Sequence, residues 1–425
     1  MRAVTTAQPP ATDAAAAVLR DGGSAADAAI AAAFVQSVVD PMNAGPGGFG
    51  ASLVHRAGQG VRAWVFPARR PAADMPAAWA TGYRGRSADG LSHVVQGDPN
   101  ARGPAAIAVP GWLPGLRALH EWGGTMPWGD LIAPAIRSAR DGFAISADFA
   151  RLVASGPYAD RMASARAVFG AARAGQVCRN PAYAATLTAI AGGTDPAPPP
   201  GASWSAAEVV PAEVVAPATW GDLHATPHPT AGGIVLDALR HGASPDALRR
   251  AWAAASREPA AAGTTHISVV DGNCAVALSS SLALPSGDFT GGHFWNGCMS
   301  GFDPRPGGSA PGQPRLSALA PVLAVTDGRP TLVAGAQGGA HIPAALVQVL
   351  AARRAGQGLA AAIDRPRWGL DGDGVALDPR ADADLRAAHP DAAIAAAPRP
   401  FGAVHAIDPD GPVADPARGG AVWRG

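Results

Sequence analysis

The stretch REPAAAGTTHISVVDGNCAVALSSSL, residues 257 to 282, contains the features that decide the fold. A run of small residues ends at Gly263, and two threonines follow it directly. Ile267 and Val269 then alternate with polar residues, and Asp271-Gly272 is a strong signal for a hairpin turn. The stretch therefore predicts a β-hairpin whose first strand begins behind a small-residue leader.

The composition of the whole chain excludes several classes of protein. The 425 residues carry 48% hydrophobic and 16% charged side chains, with a formal net charge of zero. A neutral chain without a forced basic patch predicts no nucleic-acid partner. No lysine occurs among the 33 cationic residues, which are all arginines. The absence of lysine excludes a Walker-A phosphate loop, a lysine Schiff base and a Ser-x-x-Lys nucleophile.

The cysteines and the apolar segments bear on location and cofactors. Cys178, Cys274 and Cys298 form no CxxC pair, which fits a reducing compartment and argues against a cysteine zinc site. The dispersed histidines do not indicate a metal site either, and we expect no cofactor. The N-terminal residues lack an apolar run typical of a signal peptide. The segment AADAAIAAAFVQSVV carries Asp27 and is too short for a bilayer. We expect a soluble, cytoplasmic protein without a membrane partner.

Helices and strands alternate along the chain. Apolar periodicity and capping signals predict helices over residues 12–19, 24–39 and 128–140, the second with a capping box of Ser24 and Asp27. A second hairpin is predicted over residues 321–335, followed by a helix after Gly338-Gly339. Residues 192–204, GGTDPAPPPGASW, are typical of a surface linker. Helices flanking antiparallel strands predict an α+β layered or sandwich architecture.

The Gly263-Thr264 pair suggests a chemical role for the first threonine. A threonine hydroxyl needs an adjacent base, and cleavage before Thr264 would supply one as a free α-amine with a pKa of about 8. Gly263 lacks a Cβ, so the peptide bond to be cleaved could adopt a strained conformation. Gly338-Gly339 before a helix could supply an oxyanion hole. Taken alone, the first pair is more often an ordinary loop-to-strand junction, and the second is more often an ordinary turn.

Several separate blocks, in order, resemble the γ-glutamyltranspeptidase family of self-cleaving N-terminal-nucleophile hydrolases. These blocks are residues 11–50 (ATDAAAAVLR to GPGGFG), 108–146 (AVPGWLPGLR to GFAIS), 227–236 (PHPTAGGIVL), 264–282 and 315–350 (RLSALAPVLA to LVQVL), together with AIDRPRWG and a tail segment. They cover well over half of the chain. The segment between Gly233 and Thr264 is shorter than is usual in the family.

The resemblance implies a fold, a processing event and a set of site residues. The fold would be a four-layer αββα sandwich of the N-terminal-nucleophile hydrolase type. Residues 1–263 would correspond to a large subunit and 264–425 to a small one, intertwined in one domain and associated after cleavage. The implied site residues are the nucleophile Thr264, the supporting hydroxyls of Thr265 and Ser281, the oxyanion glycines Gly338 and Gly339, and Ser317 at the substrate carboxylate.

The chain departs from the family pattern where the family binds the glutamyl head group. Ala318 and Ala283 replace a serine and an asparagine, and Ser300-Gly301, in the segment that begins at Asn296, replaces an acidic pair. The carboxylate-binding arginine is replaced by Ala73, with Arg69 and Arg70 upstream. A desolvated amino-acid head group needs partners for both charges. We therefore predict a small-molecule amide or γ-glutamyl-like substrate other than glutathione, with Arg69, Arg70, Ser317, Asn296 and Ser300 as candidate substrate-binding residues.

Four functions remain open on the sequence. The first is a self-processing amidohydrolase or acyltransferase with a non-standard acyl substrate. The second is a true γ-glutamyltransferase with a rebuilt head-group site, and the third is a silent relative with a binding or structural role. The fourth is a serine hydrolase that pairs Ser279, Ser280 or Ser281 with a histidine, although no nucleophile elbow is present. Phe294 and Trp295 could line the acyl pocket or belong to the core.

Overall fold

The computed structural model describes residues 1–87, 92–154, 156–255, 263–397 and 400–425, without the side chain of Pro157. The predicted small-residue leader, residues 257–262, lies outside the described residues. Gly263 and everything downstream to residue 397 are described.

Strands are numbered in chain order. They are β1 Arg2–Thr6, β2 Phe49–Arg56, β3 Gly60–Phe66, β4 Tyr83–Arg86, β5 His93–Val95, β6 Phe143–Ala144, β7 Val177–Cys178, β8 Glu213–Val215, β9 Ala218–Trp220, β10 Leu223–Ala225, β11 Gly263–Asp271, β12 Cys274–Ala283, β13 Pro285–Thr290, β14 His293–Asn296, β15 Val322–Thr326, β16 Arg329–Gln337, β17 Trp368–Asp371, β18 Gly374–Leu377, β19 Ala393–Ile394, β20 Ala403–Asp408, β21 Gly411–Ala414 and β22 Ala421–Arg424.

Helices follow the same numbering. They are α1 Pro9–Arg20, α2 Ala25–Val39, α3 Ala77–Thr81, α4 Trp112–Gly123, α5 Trp128–Asp141, α6 Ala147–Val153, α7 Gly156–Ala159, α8 Arg166–Phe169, α9 Pro181–Ala191, α10 Gly232–Arg240, α11 Pro245–Ala254, α12 His341–Arg354, α13 Leu359–Asp364 and α14 Ala383–Ala388. A short 3-10 helix covers Cys298–Gly301. In the described part of the chain, no helix combines the length and the apolar character that a bilayer crossing requires.

Two large antiparallel sheets form the centre of the molecule. The strand order is β22-β1-β11-β12-β2-β3-β8 in the first sheet and β21-β20-β16-β15-β10-β9 in the second. The predicted hairpin β11–β12 occupies the middle of the first sheet, with Thr264 opposite Ser281 and Asp271 opposite Cys274. Each sheet contains strands from both sides of Gly263. The two halves of the chain are therefore interleaved in both sheets.

Three apolar cores show that the layers are stacked as helix, sheet, sheet and helix. One core joins α1, α2, α4, α5 and α9 to the first sheet through residues such as Ile30, Phe34 and Ile267. A second lies between the sheets and includes Val270 and Val333. The third joins the second sheet to α10–α13. This arrangement confirms the predicted four-layer αββα sandwich.

The early helices agree with their sequence signals. The Ser24 hydroxyl accepts a hydrogen bond from the Asp27 N–H, and the Asp27 carboxylate accepts one from the Ser24 N–H, which completes the predicted capping box. Helix α2 is buried at every position, because it packs between the first sheet and neighbouring helices. Helix α1 begins at Pro9 rather than at the predicted residue 12, since a proline is well accommodated in a first helical turn.

Residues 192–204 contain no helix or strand, as the linker prediction requires, but their end is packed. Trp204 is only 7% exposed and joins Ile107, Val109 and Trp295 in a small apolar cluster. The ring centroids of Trp204 and Trp295 are 5.9 Å apart. The prediction of an unpacked surface excursion is therefore wrong for Trp204, because burying a large aromatic ring is favourable.

Candidate active site

Thr264 lies near the start of β11 and is buried, with 3% of its surface exposed. The ladder between β11 and β12 shifts its register between Gly263 and Thr264, so the backbone is irregular at this peptide bond. Thr264 and His266 project from the same face of the strand, because side chains alternate along a strand. His266 packs against Gly335 of β16 in the second sheet. The Thr264 side chain is therefore on the face of the first sheet that is directed at the second.

The hydroxyl of Ser281 both accepts and donates a hydrogen bond. Its Oγ accepts a hydrogen bond from the Ala283 N–H at 2.9 Å and donates one to the carbonyl oxygen of Gly263 at 2.6 Å. Ala283 adopts a left-handed backbone with φ of 55°. The carbonyl oxygen that accepts the hydrogen bond from Ser281 belongs to the Gly263-Thr264 peptide bond. Ser281 is thus placed to polarise that bond.

Gly263 is enclosed so closely that no side chain fits. A Cβ on this residue would lie 2.2 Å from Asn43 Oδ1, 2.8 Å from the Tyr158 hydroxyl oxygen and 3.0 Å from the Met42 carbonyl oxygen. The glycine therefore permits a close approach of these three residues.

The structure does not bring Thr265 to the Thr264 hydroxyl. Thr265 is opposite Ser280, and its side chain points to the helical side of the sheet, where the Ser280 hydroxyl accepts a hydrogen bond from Trp112 Nε1 at 2.9 Å. The Thr265 hydroxyl is buried and has no hydrogen-bond partner among the described residues. The prediction that Thr265 supports the nucleophile through its hydroxyl is wrong for this structure, because successive strand residues face opposite ways.

Gly338 and Gly339 form the turn between β16 and α12. Both have left-handed φ values, 130° and 60°, which glycine adopts without the penalty of a side chain. Their carbonyl oxygens accept the His341 and Ile342 N–H groups at 3.2 and 3.0 Å. In the described residues no hydrogen bond from the Gly338 or Gly339 N–H to another group is present. These two donors remain available at the N-terminal end of a fourteen-residue helix.

The two adjacent arginines of the first half have different environments. Arg69 forms an ion pair with Glu213 and donates to the Gly312 carbonyl oxygen at 3.1 Å. Arg70 is 6% exposed, and its Nε and Nη1 atoms are buried without a hydrogen-bond partner in the described residues. The guanidinium of Arg69 is therefore occupied by Glu213 and Gly312, which corrects the prediction that it binds substrate. Arg70, by contrast, has N–H donors without a partner in the described residues.

Arg315, which the sequence did not single out, lies beside Arg70. The segment around Arg69 is bridged antiparallel to Pro314, and Arg315 donates its N–H to the Ala68 carbonyl oxygen at 2.8 Å. Arg70 and Arg315 consequently project from the same side of this pairing, as diagonal neighbours with Cα atoms roughly 7–8 Å apart. Arg315 is 3% exposed, and its Nε has no described partner.

Arg315 also reaches the position where the resemblance implies an acidic residue. A Cβ on Gly301 would lie 2.7 Å from Arg315 Nε. The Arg315 guanidinium lies 5.8 Å from the centroid of the Phe49 ring, and Phe49 is the register partner of Ser281. Ser317 is two residues further along the same segment and is 6% exposed. The cationic group therefore borders the sheet end that carries Thr264 and Ser281.

Asn296 has a structural role, which corrects its prediction as a substrate residue. Its Nδ2 donates to the Gly47 and Ala108 carbonyl oxygens at 2.7 and 3.0 Å, and its Oδ1 accepts the N–H groups of Ala108 and Cys298. The side chain is fully buried and its hydrogen-bonding capacity is used. Asn296 therefore connects three segments of backbone.

Ser300 and Asp303 offer little to a substrate ammonium group. The Ser300 hydroxyl donates to the Gly297 carbonyl oxygen at 3.1 Å and accepts from Ser92 at 3.4 Å. The Asp303 carboxylate is bound by Arg305, with Nη2 to Oδ2 at 2.6 Å. This hydrogen bond contributes most to a pKa of Asp303 lowered to about 2. The acid nearest in sequence to Gly301 is thus already neutralised.

A serine–histidine contact is present, but it is fully buried. Ser279 Oγ is 2.8 Å from His266 Nδ1, and Ser268 Oγ is 2.9 Å from His266 Nε2. All three side chains are fully buried between the sheets. Burial holds the pKa of His266 well below its usual value, and His405 lowers it further. No substrate could reach this pair, so it does not form a serine-hydrolase site.

The remaining candidates are core or dispersed residues. Phe294 and Trp295 are at most 1% exposed and belong to two apolar clusters. His341 lies against the Phe401 ring at the start of α12. Across the described ranges, no three His, Cys, Asp or Glu side chains are grouped so that they could hold a metal ion.

The fold and the sequence together define the family. The family model described as Gamma-glutamyltranspeptidase matches residues 11–196 and 222–422. The αββα sandwich is also that of a solved cephalosporin acylase from Bacillus halodurans, with a TM-score of 0.82 and 22% identity over 100% of this chain and 96% of that one. The protein therefore has an N-terminal-nucleophile hydrolase fold. The chain belongs to the γ-glutamyltranspeptidase family.

Curated relatives match only a part of the chain. Glutathione hydrolase 3 of Arabidopsis thaliana is 32% identical over 189 residues, which are 41% of this chain and 26% of that protein. The glutathione hydrolase proenzyme of Bacillus subtilis is 35% identical over 153 residues, 35% of this chain and 24% of that protein. The matched segments thus span about a quarter of the length of these relatives.

Sequence reasoning missed Asn43, Tyr158 and Arg315. Asn43 lies in the Gly-rich segment that resembles the family, but its type alone gave no reason to single it out. Tyr158 belongs to the four-residue helix α7, which has no clear periodicity. For Arg315, the signal available was a cation two residues before Ser317. Its importance emerges only from the contact with Gly301.

Proposed function

We propose that this protein is a self-processing amidohydrolase or acyltransferase that cleaves an amide through an acyl-Thr264 intermediate. The observation that carries the proposal is the 2.6 Å hydrogen bond from Ser281 Oγ to the Gly263 carbonyl oxygen. Attack by Thr264 on this carbonyl would place negative charge on an oxygen that already has a buried donor. The serine hydroxyl thus serves the cleavage that creates the N-terminal threonine.

After cleavage, the same residue would act on the substrate. The free α-amine of Thr264 would take the hydroxyl proton during attack on the substrate carbonyl. The unused N–H groups of Gly338 and Gly339 are suited to bind the resulting oxyanion, since α12 adds its positive end. The two cleaved chains would remain associated, because strands from both are interleaved in each sheet.

We further propose that the acyl group ends in a carboxylate and lacks an α-ammonium. Arg70 and Arg315 are buried and have guanidinium nitrogens without described partners, which favours a bidentate anion. At the family's acidic pair this chain has Ser300 and Gly301, with a cation against the latter. An ammonium group there would face a positive charge instead of a negative one. A glutaryl-like acyl group satisfies both features.

The alternative of a true γ-glutamyltransferase requires an acid near Gly301. Asp303 is the nearest in sequence, and its carboxylate is occupied by Arg305. The alternative of a silent relative does not account for the Ser281 hydrogen bond or for the two available glycine N–H groups. Both alternatives are therefore less well supported than a carboxylate-selective acylase.

The test compares glutaryl and γ-glutamyl amides of one leaving group on the processed enzyme. We expect the glutaryl amide to be preferred. Arg70→Gln should lower its kcat/KM by about 10- to 100-fold, because a charge-assisted hydrogen bond contributes roughly 1.5–3 kcal/mol. Arg69→Gln is the matched control and should change this value less than twofold. A γ-glutamyl preference in the wild type, or equal effects of the two variants, would contradict the proposed substrate class.

A further inference from the structure

Three side chains that the proposed chemistry does not use surround the Gly263-Thr264 junction. Asn43 lies in the loop between α2 and β2, Tyr158 lies in α7, and Asp40 ends α2. The Asn43 Oδ1 atom and the Tyr158 hydroxyl are the two side-chain atoms closest to a Cβ built on Gly263, at 2.2 and 2.8 Å. The cluster comes from segments more than a hundred residues from Gly263, so the tertiary fold assembles it.

Asp40 determines the orientation of Asn43. Asn43 Nδ2 donates to Asp40 Oδ1 at 2.8 Å, and Gln36 Nε2 donates to Asp40 Oδ2 at 3.2 Å. Because the amide nitrogen of Asn43 is held by the carboxylate, its oxygen faces Gly263. This oxygen is buried and has no hydrogen-bond partner in the described residues.

Tyr158 lies close to the same glycine. Its hydroxyl oxygen would be 2.8 Å from a Cβ on Gly263. Burial raises the pKa of Tyr158 to about 12, and the nearby Asp40 carboxyl adds to the rise, so the phenol stays protonated near neutral pH. Gly263 is therefore enclosed at its Cα by Asn43 and Tyr158, and its carbonyl oxygen is hydrogen-bonded by Ser281.

We propose that Tyr158 and Asn43 are positioning residues for cleavage of the Gly263-Thr264 bond, and that Asp40 holds Asn43 in the required orientation. The inference rests on the proposed self-cleavage. An intramolecular attack is fast only when the reacting atoms are held in a near-attack geometry. The two side chains restrain the acyl side of the bond while the hydroxyl of Thr264 approaches it.

The step they assist is a rearrangement followed by hydrolysis. The Thr264 oxygen forms a bond to the Gly263 carbonyl carbon, the carbon–nitrogen bond breaks, and the hydroxyl proton passes to the nitrogen. An ester then joins Gly263 to the Thr264 oxygen. Water hydrolyses this ester, which leaves a carboxyl group on Gly263 and restores the hydroxyl of Thr264 beside its new amine.

Tyr158→Phe and Tyr183→Phe form a matched pair that tests the proposal. Each substitution removes one buried phenol hydroxyl, but the Tyr183 hydroxyl is bonded to Ser37 at 2.6 Å and is not among the atoms nearest to Gly263. Cleavage of freshly folded precursor is followed by mass spectrometry, with thermal unfolding measured on the same samples. We expect Tyr158→Phe to slow cleavage at least tenfold and Tyr183→Phe to change it less than twofold.

Hydroxylamine separates an effect on the first step from an effect on hydrolysis of the ester. It cleaves the ester directly, so it accelerates cleavage only when ester hydrolysis is slow. If Tyr158 and Asn43 position the first step, Tyr158→Phe and Asn43→Ala should stay at least tenfold slower than wild type in hydroxylamine. Equal rates for wild type, Tyr158→Phe and Asn43→Ala would overturn the inference and leave the proposed function intact. A wild type that never cleaves would contradict the proposed function itself.

Discussion

At the scale of single residues, the hydroxyl of Ser281 links the fold to the chemistry. Its acceptor side is occupied by the Ala283 N–H, so its proton is directed to the Gly263 carbonyl oxygen. A donor fixed in this way needs no reorganisation when charge develops on that oxygen. The residue is placed there by strand register, since Ser281 is opposite Thr264 in the ladder.

Ser281→Ala should slow cleavage at the Gly263-Thr264 bond by about a hundredfold or more, the range found when one oxyanion donor is removed. Ser280→Ala is the matched control, because Ser280 is on the opposite face and accepts from Trp112. We expect the control to cleave within a few-fold of the wild type. The measurement is the cleavage half-time of folded precursor, and equal half-times for the two variants would contradict the role of Ser281.

Sequence motifs predicted the residue types near the site but not the directions of their side chains. Ser281 is opposite Thr264, as a supporting hydroxyl should be, although its catalytic role stays a prediction. The Thr265 side chain is on the opposite face of the strand from Thr264. The side-chain amide of Asn296 is fully engaged in hydrogen bonds to backbone groups. Arg69 and Arg70 are adjacent and chemically identical, yet only the structure shows that Glu213 engages Arg69. The sequence shows the type of each residue, but it does not show which neighbouring groups pair with its charge or its hydrogen-bonding atoms.

At the scale of elements, the turn between β16 and α12 is the most constrained junction near the site. A Cβ on Gly338 would lie 2.7 Å from the Gly402 Cα atom, and the φ of Gly338 is 130°. The backbone at Gly402 leaves no room for a side chain there. The glycine is thus required for packing as well as for its left-handed backbone.

Gly338→Ala should reduce the free energy of unfolding by several kcal/mol, since strain and a backbone clash act together. Gly356→Ala, just after α12, is a control with a left-handed φ of 88° and no atom within 4 Å of the added Cβ. We expect the control to cost about 1–2 kcal/mol, from strain alone. Denaturant unfolding of both variants checks this, and equal losses would contradict the crowding at Gly402.

Hairpins and helices were predictable because their signals are local. The turn at Asp271-Gly272 and the capping box at Ser24 and Asp27 are present as expected. The polar residues of β11 were harder to interpret, because alternation does not say what lies on the polar face. Here His266 and Ser268 face the second sheet and hydrogen-bond inside the molecule. Only the stacking of two sheets explains their burial.

At the scale of the whole molecule, several histidines are buried in the uncharged state. Burial lowers the pKa of His293 and of His405 to about 4. A histidine whose folded pKa is depressed contributes stability that is present above its unfolded value, near 6.5, and lost as the pH falls towards 4. The folded protein should therefore lose stability between pH 6.5 and pH 4.

His293→Phe should flatten this pH dependence. The imidazole packs against the Tyr183 and Trp295 rings, so a phenyl ring preserves the contacts. A shift from 6.5 to about 4 corresponds to about 3 kcal/mol, and the variant should lose that much less stability on going from pH 7 to pH 4. His241→Phe, at an exposed position, should retain the wild-type slope. Parallel pH curves for His293→Phe and wild type would refute the explanation.

The order of the four layers was predictable only through the resemblance, because it is a property of long-range packing. Periodicity indicated helices and strands, but it did not pair β1 with β11 or order the seven strands of the first sheet. These pairings join residues far apart in sequence. They also explain how two chains could remain one folded unit after a cut between Gly263 and Thr264.

The intact mass of the purified, folded protein tests the central claim most directly. We expect two associated chains that separate on denaturation, the second beginning at Thr264, with masses that together equal the full chain plus one water. Thr264→Ala should remain a single chain of 42.4 kDa. A folded wild-type protein that is still a single chain of this mass after prolonged incubation would contradict the claim that Thr264 is an N-terminal nucleophile.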